Sequence, residues 1–341
     1  MDIQKENYTQ LLGSITDLLH EGRQKVALSV NTILVQTYWH IGQYIVEYEQ
    51  KGNEKAEYGS GLLDRLSKDL TALHGKGFGR SNLFYMRKLY LSFQNSGTLS
   101  HKLTWSHYYE ILKAEADLEV SFYTRQSEKE NWSVRELKRQ MKSMLFHRIA
   151  LSKNKEEVLQ LASQGHEVQK PEDLLKDPFI LEFLNIPEQH IYLESELEQK
   201  LIDNLQQFLL ELGKGFAFVA RQYRMSIGGK HFYVDLLFYH RILKCFVLID
   251  LKKGEINHQN IGQINLYLNY FKKEENAPDD NEPVGILLRT YKDHFLVEYA
   301  TASITNQILL AKYQLYLPNK ETLVAKLNFL LEQNLSNEGG E

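Results

Sequence analysis

The sequence predicts an α/β C-terminal domain, a mixed sheet in an α/β/α sandwich, preceded by an all-α N-terminal domain. Two runs rich in β-branched and aromatic side chains, 232–240 and 245–252, are separated by a short turn, which is typical of adjacent buried strands. Apolar side chains in residues 8–50 and 60–93 recur at helical spacing instead. A length of 341 residues allows about two domains, each with its own core.

The predicted boundaries follow from these patterns. We predict a helical domain at 8–150, an ordered connector at 151–190 and the α/β domain at 191–335. The connector is predicted because this stretch is polar around 153–157 and contains Gly165 and Pro171.

The elements of the α/β domain can be predicted in order. A helix from about Leu193 is ended by Gly213 and Gly215, and Gly228-Gly229 joins the first two strands as a hairpin. A strand is predicted at 216–225, followed by the two strands that contain Asp235 and Asp250 and by the helix that contains Gln263. Strands at 284–288 and 308–317 and a closing helix at 321–331 complete the domain.

Each run at the centre of this domain contains a carboxylate that is unusual in a core. Asp235 lies in the first run and Asp250 in the second. On a strand, residues i and i+2 share a face, so Asp250 and Lys252 project together while Leu251 points the other way. A structural ion pair between Asp250 and Lys252 is one interpretation. It leaves Asp235 unexplained, since that residue has no basic neighbour in its own strand.

Oxygen ligands from two strands suit a hard divalent cation such as Mg²⁺. Gln263 and Tyr267 are one turn apart on the following helix and would face the same way. Two acids, a lysine and this helix face would then meet at one sheet edge.

The ordered set Asp235, Asp250-x-Lys252 and Gln263-x-x-x-Tyr267 resembles the core of PD-(D/E)XK nucleases. With the preceding Glu-rich helix, most of the chain resembles the bacterial YhcG-type PD-(D/E)XK family, whose members also have an N-terminal helical domain. Two positions depart from the usual pattern: Val234 replaces a proline, and Asp250 stands where glutamate is commoner.

The resemblance implies a restriction-endonuclease-like fold and metal-assisted hydrolysis of DNA phosphodiesters. Asp235, Asp250 and the Leu251 carbonyl would hold Mg²⁺ or Mn²⁺, and Lys252 would position water or contact the phosphate. Gln263 would orient substrate or solvent.

Two further roles stay open. Tyr267 would either pack under Gln263 or touch the nucleic-acid backbone. The first core helix would supply a glutamate to the metal site. We choose Glu198, whose phase matches the buried face, and Glu194, one turn earlier, is the alternative. A homodimer is an expectation from nucleases that cut both strands.

The N-terminal domain contains a predicted helix-turn-helix, with helices at 60–74 and 81–93 around a glycine turn and Ser81 as N-cap. Its second helix would turn polar side chains outward, as major-groove docking requires. An αα-hairpin with a solvated face is the alternative. The predicted nucleic-acid contacts are Lys76, Arg80, Asn82, Arg87 and Lys88.

Charge supports a local binding surface even though the net charge is −4. Residues 1–150 carry a net charge of +3 and the remainder −7, and no acid occurs between Leu70 and Tyr109. Local fields of this kind determine phosphate binding more than the overall pI does. A second basic face is predicted on the helix that a Ser133-x-x-Glu136 capping box begins, with Arg135, Lys138, Arg139 and Lys142.

Other features limit the function classes. No apolar run approaches the about 20 residues of a membrane span, and the N-terminus lacks the apolar core of a signal peptide, so we expect a cytoplasmic protein without membrane contact. The single cysteine, Cys245, excludes an intrachain disulfide. The alternative to a nuclease is an inert nuclease fold acting as a nucleic-acid-binding or assembly module.

Overall fold

The computed structural model describes residues 2–50, 58–186, 193–252, 257–290, 307–317 and 319–333. The chain divides into two compact units. The first unit consists of Met1–Lys138 and Ala162–Gly165, and the second of Arg139–Leu161 and His166–Glu341.

The regular elements described in the first unit are all helical, as predicted. They are α1 (Asp2–Gln50), α2 (Tyr58–His74), α3 (Arg80–Ser92), α4 (Trp105–Ile111), α5 (Asp117–Glu130) and most of α6 (Val134–Lys142).

Helices α1 and α3 form the centre of the first unit. A Cβ atom at Gly42 of α1 would lie 2.0 Å from the carbonyl oxygen of Met86 in α3, so only glycine permits this close crossing. Trp39 Nε1 donates a 2.5 Å hydrogen bond to the carbonyl of Phe93, just beyond α3. Leu83 and Met86 are fully buried there.

The predicted helix pair around a glycine turn is present as α2 and α3. Gly75 and Gly77 adopt positive φ angles of 82° and 119° between them. The prediction of Ser81 as N-cap is wrong, because α3 begins at Arg80 and Gly79 already has the extended cap conformation. Asn82 instead donates a 2.9 Å side-chain hydrogen bond to the carbonyl of Gly77 in the turn.

The predicted helices of residues 8–50 form one helix, α1. The helical spacing of Trp39, Tyr44 and Tyr48 predicts that all three pack as scaffold. Val35 and Trp39 are buried, but Tyr44 and Tyr48 are 68% and 69% exposed, so this prediction is wrong for the two tyrosines. The sequence also predicts that the helix ends at Lys51-Gly52-Asn53, and these residues lie outside the described ranges.

The second unit contains a six-stranded mixed sheet in the order β1-β6-β5-β4-β3-β2. Strands β2, β3 and β4 pair antiparallel, whereas β4, β5, β6 and β1 pair parallel. The strands are β1 (Phe179–Ile180), β2 (Phe216–Ile227), β3 (Lys230–His240), β4 (Cys245–Lys252), β5 (Val284–Arg289) and β6 (Gln307–Gln314).

Helices cover both faces of this sheet, which gives the predicted α/β/α sandwich. Leu201 and Phe208 pack on the face that includes Ile249, whereas Ile264 packs on the opposite face with Leu248. The remaining α-helices among the described residues are α7 (Leu145–Ala150), α8 (Lys155–Gln164), α9 (Glu194–Asp203), α10 (Leu205–Leu212), α11 (His258–Tyr270) and α12 (Lys320–Gln333).

The segment predicted as a connector, 151–190, contributes directly to the second unit. Its strand β1 pairs parallel with β6, and both β1 residues are fully buried. The buried carboxylate of Glu211 accepts hydrogen bonds from Arg148 (2.6 Å) and from the backbone N–H of Ile180 (2.9 Å). A two-residue strand is too short to show any periodicity, which is why the sequence did not reveal it.

The helix predicted from Leu193 to Gly213 is interrupted. Asn204 has φ −117° and ψ 32°, and its side chain donates a 2.9 Å hydrogen bond to the carbonyl of Lys200. Asparagine competes in this way for backbone carbonyls and favours helix ends, so α9 and α10 are separate helices. No helix in the described part of the chain has the combination of length and apolar composition that crossing a bilayer requires.

Candidate active site

Asp235 and Asp250 lie opposite each other on neighbouring strands. Leu236 pairs with Ile249 in the β3–β4 ladder, and extending this register by one residue places Asp235 opposite Asp250. Side chains directly opposite each other in an antiparallel pair share a face of the sheet. The two carboxylates therefore project together.

Asp235 is held by two hydrogen bonds from neighbouring strands. Its Oδ2 accepts a 2.9 Å bond from the backbone N–H of Leu251, and its Oδ1 accepts a 3.1 Å bond from the side-chain amide of Gln222. The Leu251 side chain is buried in the core on the other face, as the period of two predicts. The peptide group of Leu251 thus lies beside the carboxylate of Asp235.

Asp250 is the most buried acid of the cluster, and Lys252 lies beside it. Asp250 is 3% exposed, and burial, reinforced by the nearby charge of Asp235, raises the pKa of its carboxyl to about 7. Lys252 Nζ lies 3.0 Å from Asp250 Oδ2. Burial lowers the pKa of Lys252, but the charges of Asp250, Asp235 and Glu194 outweigh it and raise the pKa overall. The lysine is therefore cationic at neutral pH.

Helix α9 brings both candidate glutamates to this edge. Glu198 is buried, and its Oε2 accepts a 2.8 Å hydrogen bond from Gln222 Nε2. Burial is the main reason that the pKa of Glu198 is raised. Glu194 is more exposed, and its Oε2 lies 3.8 Å from Lys252 Nζ. Glu198 is thus on the Asp235 side of the cluster, and Glu194 on the Lys252 side.

Gln263 and Tyr267 are one turn apart on α11, and Gln263 Nε2 donates a 2.5 Å hydrogen bond to the hydroxyl of Tyr267. Tyr267 is 1% exposed and belongs to the core between α11 and the sheet. Burial raises the pKa of its hydroxyl. Its prediction as a nucleic-acid contact is therefore wrong, because the ring is buried beneath Gln263.

Some of the carboxylate oxygens at this site are suitable for binding a divalent cation. Glu198 Oε1 is a buried oxygen without a hydrogen-bond donor among the described residues, and the buried Asp250 Oδ2 faces the ammonium group of Lys252. Their cationic neighbours are Lys252 at 3.0 Å and Arg221 at 3.8 Å. Unsatisfied carboxylate oxygens are suitable ligands for Mg²⁺ or Mn²⁺.

The carboxylates are nevertheless not gathered into a three-acid cage. Within the described ranges, no group of three or more His, Cys, Asp or Glu is close enough to hold a metal ion. The amide of Gln222 lies between Glu198 and Asp235 and binds both. Asp235 and Asp250 are therefore the central pair, and Glu198 is at the periphery.

Gln222 is a site residue that the sequence analysis missed. It lies in β2, with a φ of 46°, between Arg221 and Tyr223, whose partners on β3 flank Asp235. A left-handed residue inside a strand turns its side chain out of the regular alternation. No feature of the sequence indicates this conformation.

A row of basic residues crosses the neighbouring parallel strands. Lys252 of β4 is in register with Arg289 of β5, which is in register with Lys312 of β6. Arg289 is 2% exposed. This row lies on the side of the acids away from β3.

In the first unit, two of the predicted nucleic-acid contacts are occupied by protein groups. Arg87 Nε lies 2.7 Å from Glu49 Oε2. Lys88 Nζ donates hydrogen bonds to the carbonyls of Leu112 (2.5 Å) and Ala114 (2.9 Å), at the end of α4. The prediction that both side chains project outward is therefore wrong, because they connect α3 to α1 and to the end of α4.

The other predicted contacts of that unit are more accessible. Lys76 is exposed in the glycine turn, and Arg80 forms an exposed ion pair of 3.0 Å with Asp64. On the second basic face, Arg135 is exposed, whereas Lys138 Nζ lies 3.2 Å from Glu110. Exposed pairs are weak and can exchange their partner for a phosphate.

A mixed sheet flanked by helices, with Asp235 on one strand and Asp250-x-Lys252 on the next, defines the PD-(D/E)XK class of nuclease folds. The family model of the YhcG PDDEXK nuclease domain matches residues 172–328, and that of the DUF1016 N-terminal domain matches residues 14–148. The protein of Escherichia coli (strain K12) named "Putative nuclease YhcG" is 37% identical over 352 residues, which cover 94% of this chain and 93% of that protein.

The chain belongs to the YhcG-type PD-(D/E)XK nuclease family. Among solved structures, a repair endonuclease from Pyrococcus abyssi is similar over 39% of this chain and 50% of that chain, with 17% identity and a TM-score of 0.27.

Proposed function

We propose that this protein is a metal-dependent nuclease that hydrolyses phosphodiester bonds of DNA, and that its first unit binds the nucleic acid. The observation that carries the proposal is the pair of opposed carboxylates, Asp235 and Asp250, with Lys252 3.0 Å from Asp250. Ionising two acids beside each other in a buried site is unfavourable unless cations compensate them. A structural ion pair would require only one acid.

The side chains of the cluster have separable roles. Asp235 and Asp250, with the Leu251 carbonyl, would hold Mg²⁺ or Mn²⁺, which neutralises charge on a phosphate and acidifies a water when bound. Lys252 holds its positive charge beside Asp250 and would orient the water or contact the phosphate. Gln263 would position substrate or solvent from α11.

Two other side chains would support this arrangement. Gln222 fixes the carboxylates of Asp235 and Glu198 by hydrogen bonds to both. Lys312, two strands beyond Lys252 in the same register row, would lie where a phosphodiester backbone continues.

The experiment is a substrate panel. Purified protein is incubated with supercoiled plasmid, linear duplex, branched DNA, single-stranded DNA and RNA, each with Mg²⁺, Mn²⁺ or EDTA. We expect cleavage of at least one DNA substrate with a divalent cation and none in EDTA. Cleavage of RNA alone would contradict the DNA assignment, and cleavage in EDTA would contradict metal dependence.

The second candidate is an inert nuclease fold that binds nucleic acid or assembles with it. The absence of a three-acid cage among the described residues favours it. This candidate predicts DNA binding that is unchanged by EDTA, with every substrate of the panel left intact.

A further inference from the structure

Helix α1 contains a long apolar surface that the described part of the chain leaves uncovered. Beyond Val35, which is 2% exposed, the helix packs into the first unit. Before Val35, ten large apolar side chains are exposed by 37–69%. They are Leu11, Leu12, Ile15, Leu18, Leu19, Val26, Leu28, Val30, Ile33 and Leu34.

Part of this surface follows a seven-residue repeat. Leu12, Leu19, Val26 and Ile33 are spaced seven residues apart, and Ile15 and Gly22 each lie three residues after one of them. Positions a and d of a heptad repeat have this spacing, and they form one stripe along a helix. We call this stripe the α1 seam.

An apolar surface of this size is unfavourable in water. Nine of these ten side chains, all but Leu28, lie on one half of the helix circumference. At about half exposure they present on the order of 850 Å², whereas the largest apolar patch of a typical monomer covers about 300–600 Å². A standard protein interface buries about 800 Å² per partner. The surface is therefore large enough for a stable interface.

The charge of the segment indicates what covers it. Residues 11–34 contain two acids, Asp17 and Glu21, and two bases, Arg23 and Lys25. Glu21 and Lys25 already pair with each other along the helix at 2.7 Å. A neutral segment has no preference for an acidic or basic partner and does not repel a second copy of itself.

The segment also has a groove beside its leucines. Gly22 interrupts the stripe and leaves an open groove of about 460 Å³ that Leu18, Leu19, Val26 and Ala27 help to line. In paired helices, an apolar side chain of one helix fits into a hole between side chains of the other. The leucines of a second copy have the size and chemistry to fill this groove.

We propose that the protein forms a homodimer in which the α1 seams of two copies pack against each other. The interface is isologous, because each copy supplies the same residues. This inference does not rest on the proposed nuclease activity. It follows that a dimer carries two copies of the Asp235–Asp250 cluster.

The test uses charge at two seam positions of the full-length protein. In Leu19→Glu/Val26→Glu, like charges would face each other in either helix orientation, and the same holds for Leu19→Lys/Val26→Lys. The matched control is Gln24→Glu/Asn31→Glu, which has the same seven-residue spacing off the seam. Sedimentation equilibrium at micromolar concentration gives the mass of each protein, and circular dichroism checks the fold.

We expect native protein and control to show twice the chain mass of 39.9 kDa, and each seam variant to show the mass of one chain. An equimolar mixture of the Glu and Lys variants should recover the dimer. A monomeric native protein, dimeric seam variants, or a mixture that stays monomeric would each overturn the proposal. If the seam variants lose helical content as well, recovery in the mixture still decides between the outcomes.

Discussion

The backbone N–H of Leu251 donates a 2.9 Å hydrogen bond to Oδ2 of Asp235. This bond fixes the carboxylate of β3 against the strand that carries Asp250, independently of any cation. Asparagine at position 235 would keep an acceptor oxygen and lose the charge, so the structural and electrostatic contributions of Asp235 can be separated.

We expect Mg²⁺ or Mn²⁺ to raise the Tm of the native protein, because a ligand that binds only the folded state stabilises it by mass action. A concentration of about 100 times the Kd corresponds to about 2.7 kcal/mol. Asp235→Asn and Asp250→Asn should abolish the rise, as measured by differential scanning fluorimetry with and without EDTA. Asp203→Asn, an exposed change on α9, is the control. If the cation raises the Tm of both site variants as much as that of the native protein, the cation binds elsewhere.

Gln222→Ala should lower the cleavage rate by about 10–100-fold, the usual effect of removing a side chain that orients a metal ligand. The amide holds Glu198 at 2.8 Å and Asp235 at 3.1 Å, and without it the two acids lose their fixed separation. Gln199→Ala, at an exposed position of α9, serves as control. The measurement is the single-turnover rate at saturating cation. A rate equal to the native rate would show that Gln222 only fills space.

The contacts of Arg87 and Lys88 predict a loss of stability on substitution. Lys88→Met removes two charged hydrogen bonds to the carbonyls of Leu112 and Ala114 and should cost about 1.5–3 kcal/mol in the free energy of unfolding. Urea unfolding measures this loss, with exposed Lys102→Met as control. An unchanged midpoint would mean that water replaces the ammonium group without cost.

The exposed cations should control DNA affinity instead. In Lys76→Ala/Arg80→Ala, the slope of log K against log salt should flatten by about one unit per lost phosphate contact. Fluorescence anisotropy at several salt concentrations gives the slope, and Lys68→Ala/Lys102→Ala is the matched control. If slope and affinity stay unchanged, the binding surface lies elsewhere, and Arg135 is the next residue to substitute.

Two buried histidines predict a pH dependence of stability. Burial lowers the pKa of His147 and of His166 to about 4, below the 6.5 of an exposed histidine. The unfolded chain therefore binds more protons between pH 6.5 and 4, and stability falls as the pH falls through this window. Each histidine lowers the free energy of unfolding by at most about 3–4 kcal/mol across this window. His147→Gln should remove its share of the slope in urea titrations at several pH values, and an unchanged slope would contradict this account.

The sequence predicted the sheet well, because its strands are long, apolar and bounded by glycine or proline turns. Asp235 and Asp250 could be identified from the sequence because a carboxylate inside an apolar strand is unusual. Strand β1 was missed because two residues carry no periodicity. Gln222 was missed because its role depends on a left-handed backbone conformation.

The outward face of α3 was predicted incorrectly for a different reason. Periodicity identifies the buried stripe, and Leu83, Met86 and Leu89 are indeed fully buried. It does not reveal that a charged side chain beside the stripe has a partner on another helix, as Arg87 has in Glu49. Tyr267 is a second case in which a partner decides burial. Its polar hydroxyl can be buried because Gln263 donates a hydrogen bond to it.

The most direct test of the central claim is cleavage by the Lys252→Met variant. Methionine keeps most of the side-chain volume and removes the charge that lies 3.0 Å from Asp250. Lys230→Met, at the exposed first residue of β3, is the matched control. With the best DNA substrate and Mg²⁺, the account predicts native cleavage by the control and none by Lys252→Met, with DNA affinity retained in both. Equal cleavage by Lys252→Met and the native protein would contradict it.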